Sequence, residues 1–333
     1  MSRFGALILS SAIILGGCVP ENDLKPPNDE LTVPNSPAVE SVKYEKAPVF
    51  ETAWPTSFNR DELISSALSE IFASFDARKP TFDERKIAVY IDPEIPERHH
   101  EWIRELSENT ILMMSREIEE TVSVIVGTQP SFMHQVVEGN SLDMPMVDDF
   151  GDNVRPCDYS WGACSGGNTI YVGAGTRGLD ALHRSPKFAR MLSHKSLHVV
   201  QDHIDYQSGG QTPPRDMENF RPVWFVEGFA EFYGYAMNDY LELHQYHQSQ
   251  NRWFEYASLR DLEEWNLEKS EDKYLWGQAA IEYIVANVGF EALVELYLLL
   301  EEGQTFEEAF VNSVGIDLDQ FYEAFDEWAM SQF

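Results

Sequence analysis

The fold is decided by residues 191–203, which read Met191-Leu192-Ser193-His194-Lys195-Ser196-Leu197-His198-Val199-Val200-Gln201-Asp202-His203. They belong to a helix that we predict over 186–203. His194 and His198 are four positions apart, so both imidazoles lie on one helical face and can reach a single metal ion. A histidine pair at this spacing is common by chance, so the pair needs support from elsewhere in the chain.

That support comes from a second predicted helix, which contains Val223-Trp224-Phe225-Val226-Glu227-Gly228-Phe229-Ala230-Glu231-Phe232. Glu227 lies 29 residues after His198. Gly228 follows it directly, and a residue without a side chain permits the close approach of another helix.

The two helices together resemble the gluzincin zinc metallopeptidases, the superfamily that includes thermolysin and aminopeptidase N. In those enzymes a His-Glu-x-x-His helix supplies two zinc ligands, and a later helix supplies a Glu, often within an Asn-Glu-Gly-Phe-Ala-like string. Residues 225–230 are similar to that string. The resemblance covers about residues 85–331 and implies an α+β, zincin-like fold, with zinc bound by His194, His198 and Glu227.

Two further segments have counterparts in that superfamily. Tyr274-Leu275-Trp276-Gly277 is similar to the Tyr-x-x-Gly of aminopeptidase-like members, so the resemblance makes Tyr274 a hydrogen-bond donor to the oxyanion. The alternative is an aromatic residue that only packs at a helix start. Thr169-Ile170-Tyr171-Val172-Gly173 stands where such folds place the edge strand that pairs with the substrate backbone.

Lys195 departs from the family pattern, because the family has Glu at this position. In a peptidase that Glu takes a proton from the zinc-bound water, and loss of a general base typically costs about 10²–10⁴ in rate. We therefore expect a peptidase-like protein with impaired or absent proteolysis that binds a peptide, protein or wall-associated ligand. An anion such as a peptide carboxylate is expected between the metal and Lys195. The alternatives are a neutral, catalytic Lys195 and a lysine that points away from a vestigial site.

Other charged residues near the motif have two interpretations. Asp202 and Glu231 are predicted to orient the ligand histidines, and ordinary solvated helix acids are the alternative. In a second functional hypothesis, an active zinc peptidase, one of these acids replaces the missing base. His99 and His203 are interpreted as surface residues.

Residues 1–17 have the features of an export signal. Phe4–Leu15 is an apolar run that is too short to span a bilayer as a stable anchor. Leu15-Gly16-Gly17-Cys18 resembles the lipobox of bacterial lipoproteins, which implies cleavage before Cys18 and attachment of several acyl chains to it. Val19 favours sorting to the outer membrane. We expect an exported, lipid-anchored protein of the cell envelope, and a plain secretory signal is the alternative.

Cys157 and Cys164 remain as an even pair once Cys18 is acylated. An exported protein meets an oxidising compartment, so we predict a disulfide that closes a small loop. Two free buried thiols are the alternative.

Composition divides the rest of the chain into a tether and a folded domain. Residues 18–49 are rich in Pro, Asn and acidic residues, which predicts a flexible tether. The zincin-like domain is expected over 50–333, with an α/β lobe over about 50–204 and a helical lobe over about 205–333. We predict strands at 86–91, 121–126 and 169–172, and helices at 61–75, 97–120, 186–203, 222–249, 272–288, 290–302, 304–313 and 317–331.

The net charge limits the partners of this protein. With 56 acidic and 24 basic residues, the formal charge is −32. Nucleic acid and anionic membrane surfaces repel such a chain, so we expect no nucleic-acid partner and contact with a membrane only through Cys18. A third functional hypothesis is a metal-free envelope lipoprotein that keeps only the fold.

Overall fold

The computed structural model describes residues 54, 59–79, 86–111, 121–148, 154–158, 161–175, 179, 182–205, 221–246, 258–263 and 270–332. The predicted export signal, Cys18 and the tether lie outside these residues.

The described chain has an α+β fold. Its strands are β1 (Ile87–Ile91), β2 (Val122–Gly127), β3 (Met146–Asp148), β4 (Val154–Pro156), β5 (Trp161–Gly166) and β6 (Thr169–Ala174). Its helices are α1 (Arg60–Arg78), α2 (His100–Ile111), α3 (Pro130–Asn140), α4 (Pro186–Asp205), α5 (Val223–Tyr240), α6 (Ser270–Val288), α7 (Glu291–Glu301), α8 (Phe306–Val314) and α9 (Leu318–Ser331). Short 3-10 helices form at Glu97–His99 and Leu259–Leu262.

Most predicted elements are confirmed, whereas α3, β3, β4 and β5 were not predicted. The helix predicted over 97–120 starts as a 3-10 helix and continues as α2 to Ile111, and 112–120 lie outside the described residues.

Another predicted helix is too long. The helix expected over 222–249 ends as α5 at Tyr240. Glu242 has a φ of 54°, and the backbone N–H of Leu243 donates to the carbonyl of Asn238. A non-glycine residue in the left-handed region interrupts the helical hydrogen-bond pattern, so the chain turns there.

The strands form one six-stranded sheet in the order β1-β2-β6-β5-β3-β4. The strands β1, β2 and β6 are parallel, whereas β5 runs antiparallel to β6. The expectation that 169–173 forms an edge strand is therefore wrong, because β6 lies between β2 and β5. Each residue of β6 is buried, as expected of a strand covered on both faces.

The strand β5 has a partly open outer edge. It pairs with β6 along its full length, from Trp161 to Gly166. On its other side, the pairing recorded within the described residues joins Ser165 to Met146 of β3. Within the described residues, β1 at the end of the sheet and this part of β5 therefore both have backbone groups without a recorded strand partner.

Alternate residues of the sheet face two different hydrophobic layers. Val124 and Val172 belong to the main core, which also includes residues of α4, α5, α6 and α9. Ile125 and Tyr171 face a smaller cluster that is covered by α3. Residues 45–333 form one compact unit, and the predicted lobes share the main core.

A disulfide joins Cys157 to Cys164, with their Cα atoms 6.2 Å apart. Both cysteines are buried in the smaller cluster, against the side of the sheet that α3 covers. The disulfide therefore fixes the segment after β4 to the middle of β5.

Within the described residues, no single helix has the length and apolar character needed to cross a bilayer. The pair formed by α6 and α7 meets that test only when the two are joined across a bend of 104°.

Candidate metal centre

The helices α4 and α5 bring three metal-ligating atoms together. The Nε2 atoms of His194 and His198 are 3.0 Å apart. The Oε2 atom of Glu227 lies 3.4 Å from Nε2 of His194 and 3.5 Å from Nε2 of His198. Within the described part of the chain, these residues form a group whose ligand atoms all lie within 4.8 Å of one another. The structure thus places together the ligands that the sequence predicted.

Glu231 orients the ring of His194 through the ring nitrogen that is not directed at the site. Nδ1 of His194 is 3.1 Å from Oε2 of Glu231, and because a carboxylate only accepts, Nδ1 carries the proton. The other oxygen of Glu231 accepts a hydrogen bond from Arg190, whose Nη1 also donates to the Tyr235 hydroxyl at 3.2 Å. This arrangement leaves the Nε2 lone pair of neutral His194 directed at the site.

Gln201 orients the ring of His198 in the same way, and this role of Gln201 was not predicted from the sequence. Nδ1 of His198 is 2.5 Å from Oε1 of Gln201. The amide nitrogen of Gln201 donates to the Val226 carbonyl at 3.0 Å and to the Tyr297 hydroxyl at 2.8 Å. These two acceptors set the orientation of the amide, so Oε1 faces the imidazole and Nδ1 donates to it. The only sequence feature that pointed to this role is that Gln201 follows His198 by three positions, which places both side chains on one helical face.

Electrostatics keep His198 and Glu227 in states that suit a cation, and they act on His194 in the opposite direction. Burial, and then the charge of Lys195, lower the pKa of His198 to about 4, so this imidazole is neutral at neutral pH. Burial alone would raise the pKa of Glu227, but the charges of His198 and His194 hold it well below its usual range. Burial would lower the pKa of His194, yet the carboxylates of Glu227 and Glu231 outweigh it and raise that pKa.

The surroundings of one buried oxygen atom indicate whether the site suits a metal ion. Oε2 of Glu227 is inaccessible to solvent and receives no hydrogen bond from the described residues. A buried, ionised carboxylate oxygen without a donor is costly unless a cation occupies the space beside it. Two imidazole nitrogens point toward the same space. A donor set of two nitrogens and one oxygen is used by Zn²⁺ and by other first-row divalent ions.

Close packing of α5 against α6 brings Tyr274 to the site. A Cβ atom on Gly228 would lie 2.2 Å from the backbone carbon of Gly277, so no side chain fits at this crossing. The rings of Tyr274 and His194 have centroids 6.1 Å apart. Burial, and then the charges of Glu227 and Glu231, raise the pKa of Tyr274. Its hydroxyl therefore keeps its proton at neutral pH and serves as a donor.

Lys195 lies on α4 directly after His194 and is half-buried. Among the described residues, no ion pair or hydrogen bond involves its ammonium group. Its positive charge nevertheless acts on both imidazoles, since it contributes to lowering the pKa of each. The charge of Lys195 therefore opposes protonation of both imidazoles.

Two predictions on other polar residues have different outcomes. Asp202 lies on α4, but its side chain is outside the described residues. His99, interpreted as a surface residue, is 1% exposed, so that interpretation is wrong. The reason is helical spacing, because His99 precedes the buried Ile103 by four positions and shares its inward face.

Comparison of the chain with protein-family models, with curated proteins and with solved structures gives no match.

Proposed function

We propose that this protein is a metal-binding, peptidase-like domain of the zincin type that lacks the general base of a peptidase and acts by binding a peptide or protein ligand. The observation that carries the proposal is Lys195, half-buried and unpaired among the described residues, beside a complete three-ligand group. A lysine ammonium cannot take a proton from water, so the site is suited to holding a ligand rather than to hydrolysing one.

His194, His198 and Glu227 would hold the ion, and zinc is the ion we propose. A zinc ion in such a site supplies a Lewis acid that polarises an oxygen of the ligand. Glu231, Arg190 and Gln201 keep the two imidazoles in place with their Nε2 lone pairs free. Loss of such a hydrogen-bond partner typically weakens metal binding about 10–100-fold.

The second hypothesis, an active peptidase with a substitute base, finds no support in Glu231. Oε1 of Glu231 accepts from Arg190, and Oε2 accepts from Nδ1 of His194. Both oxygens are therefore engaged on the side of the imidazole that faces away from the metal-ligating nitrogen. A carboxylate held in this way orients a histidine and is not placed to accept a proton from water at the metal.

The ligand-binding surface that we propose includes β5 and Tyr274. An extended peptide can add to a sheet through main-chain hydrogen bonds, and we propose that it lies along the outer side of β5 near Trp161, where no strand pairing is recorded among the described residues. The protonated hydroxyl of Tyr274 offers a donor to a carbonyl or carboxylate oxygen of that ligand. We further propose that the domain is exported and held at the cell envelope by acylation of Cys18.

The proposal is tested by the substitution Lys195→Glu, which introduces the general base that the family has at this position. The full chain, its Lys195→Glu variant and its His194→Ala variant are purified, their metal content is measured, and each is assayed with a general peptide substrate. We expect one equivalent of metal and no cleavage for the unchanged chain, no bound metal for His194→Ala, and new, chelator-sensitive cleavage for Lys195→Glu. We expect the cleavage rate of Lys195→Glu to exceed any residual rate of the unchanged chain by a factor of about 10²–10⁴.

Two results would contradict this proposal. Efficient, chelator-sensitive cleavage by the unchanged chain that disappears in His194→Ala would show an active peptidase. Equal, sub-stoichiometric metal in the unchanged chain and His194→Ala would show a metal-free protein that keeps only the fold.

A further inference from the structure

We infer that the metal centre recognises a carboxylate, with one oxygen at the coordination position that the protein leaves open and the other on the ammonium group of Lys195. This inference rests on the proposed function, because it requires a metal ion held by His194, His198 and Glu227.

The balance of charge around the site is the first argument. A divalent ion together with the Glu227 carboxylate and two neutral imidazoles has a formal charge of +1, and the Lys195 ammonium raises it to +2. Arg190 and Glu231 pair with each other, so they add no net charge. The chain as a whole carries −32, so this positive site is a local exception. An anion is the ligand that such a site favours.

The lack of an internal counter-charge for Lys195 is the second argument. Glu227 is directed at the metal position, and Glu231 is held by Arg190 and His194. No described acid forms an ion pair with Lys195, although its side chain is half-buried. A half-buried ammonium group without a protein partner is available to the carboxylate of a ligand, and a charge-assisted hydrogen bond between them is strong.

The number of donors favours a carboxylate over a phosphate. Three protein ligands leave one position of a tetrahedral ion open, which takes one oxygen of the ligand. Lys195 takes a second oxygen, and Arg190 is already committed to Glu231 and Tyr235. A carboxylate has two oxygens and is satisfied by these two contacts. A phosphate has further charged oxygens, and the other described ammonium group near the site, that of Lys273, is buried over the ring of Tyr274, with 5.0 Å between Nζ and the ring centroid.

The experiment compares ligands that differ only in the carboxylate. The zinc-loaded full chain is titrated calorimetrically with N-acetylated tetra-alanine carrying a free C-terminal carboxylate, and with the same peptide as its C-terminal amide. A third, amidated peptide with one internal Asp separates a side-chain carboxylate from a terminal one. We expect the free acid to bind about 10–100-fold more tightly than the amide, as for a hydrogen bond between charged groups.

Variants at position 195 assign that preference to Lys195. We expect Lys195→Met to reduce the preference for the acid to the part that the metal ion supplies, and Lys195→Arg to keep the full preference. Metal content is measured in each, which separates loss of the ion from loss of the ammonium group. The comparison of the acid with the amide uses only the unchanged chain. It therefore still tests the inference if a variant at position 195 fails to fold.

Each other outcome has a definite meaning. Equal affinity for the acid and the amide in the metal-loaded unchanged chain overturns the carboxylate inference and leaves the proposed function standing. Tighter binding of inorganic phosphate than of the free acid, or a preference for the acid that is undiminished in Lys195→Met, overturns it as well. If the unchanged chain retains no more metal than His194→Ala, the proposed function falls first, and the carboxylate inference falls with it.

Discussion

At the scale of single residues, the contacts behind the two imidazoles determine what the site can bind. His194 and His198 are oriented by different chemical groups, a carboxylate for one and a primary amide for the other. The ligands could be predicted from the sequence, because two histidines on one helical face and a later Glu form a recognisable pattern. Gln201 could not, because a glutamine has many roles in helices and only its contacts with Val226 and Tyr297 give it this one.

The role of Gln201 gives a prediction for metal affinity. We expect Gln201→Leu to weaken metal binding about 10–100-fold, because His198 loses the acceptor that keeps its proton on Nδ1. The measurement is a competition titration against a chelating dye. Tyr297→Phe is the matched control, since it removes one partner of Gln201 and leaves the contact with His198. An unchanged metal affinity in Gln201→Leu would show that the acceptor on Nδ1 of His198 has no influence on metal binding.

At the scale of elements, α5 holds the site together because it packs closely on two sides. Gly228 meets α6, and on the other side a Cβ atom on Gly234 would lie 3.1 Å from the carbonyl oxygen of Arg190 on α4. Three strands and the helices other than α3 could be predicted because they have clear apolar periodicity, whereas α3 was not predicted. The strand β5 could not be predicted, because Trp161-Gly162-Ala163-Cys164-Ser165-Gly166 lacks β-branched residues. The position of β6 depends on β5, so the edge of the sheet could not be predicted either.

The crossing of α5 and α6 gives a prediction for stability. Gly228→Ala is expected to lower the free energy of unfolding by about 3 kcal/mol or more, because its Cβ atom meets backbone, which cannot move aside as a side chain does. Gly139→Ala is the matched control, since its Cβ atom would have no neighbour within 4 Å. There we expect a gain of about 0.5–1 kcal/mol, as for alanine in place of glycine in a helix. Chemical denaturation of the three proteins measures both changes, and a mild effect at Gly228 would contradict the close crossing.

At the scale of the whole molecule, the charge of −32 opposes compactness. The described residues contain a few cross-connections that act against it, such as the bond between Arg78 on α1 and Glu291 on α7, with 2.9 Å between Nη2 and Oε2. These bonds join the first helix of the described domain to its C-terminal helices. Composition alone could give the total charge but not these pairs, because they depend on how distant elements pack.

The total charge gives a prediction for the effect of salt. Added NaCl screens the repulsion between like charges, as the Debye length falls from about 30 Å at 0.01 M to about 3 Å at 1 M. We therefore expect the melting temperature to rise with salt over this range. Thermal unfolding followed by circular dichroism measures it, with sucrose at matched osmolality as the control for solvent exclusion. A melting temperature that falls with salt would show that specific ion pairs outweigh the general repulsion.

The contact between Gly228 and Gly277 also constrains how such a chain can change over generations. Neither glycine can be replaced first, because the partner glycine has no side chain that a second substitution could shorten to relieve the clash. Position 195 is under no such restriction, since no described residue forms an ion pair with its side chain. A lineage can therefore exchange lysine and glutamate at position 195 by a single substitution, while the helix crossing next to Glu227 stays unchanged.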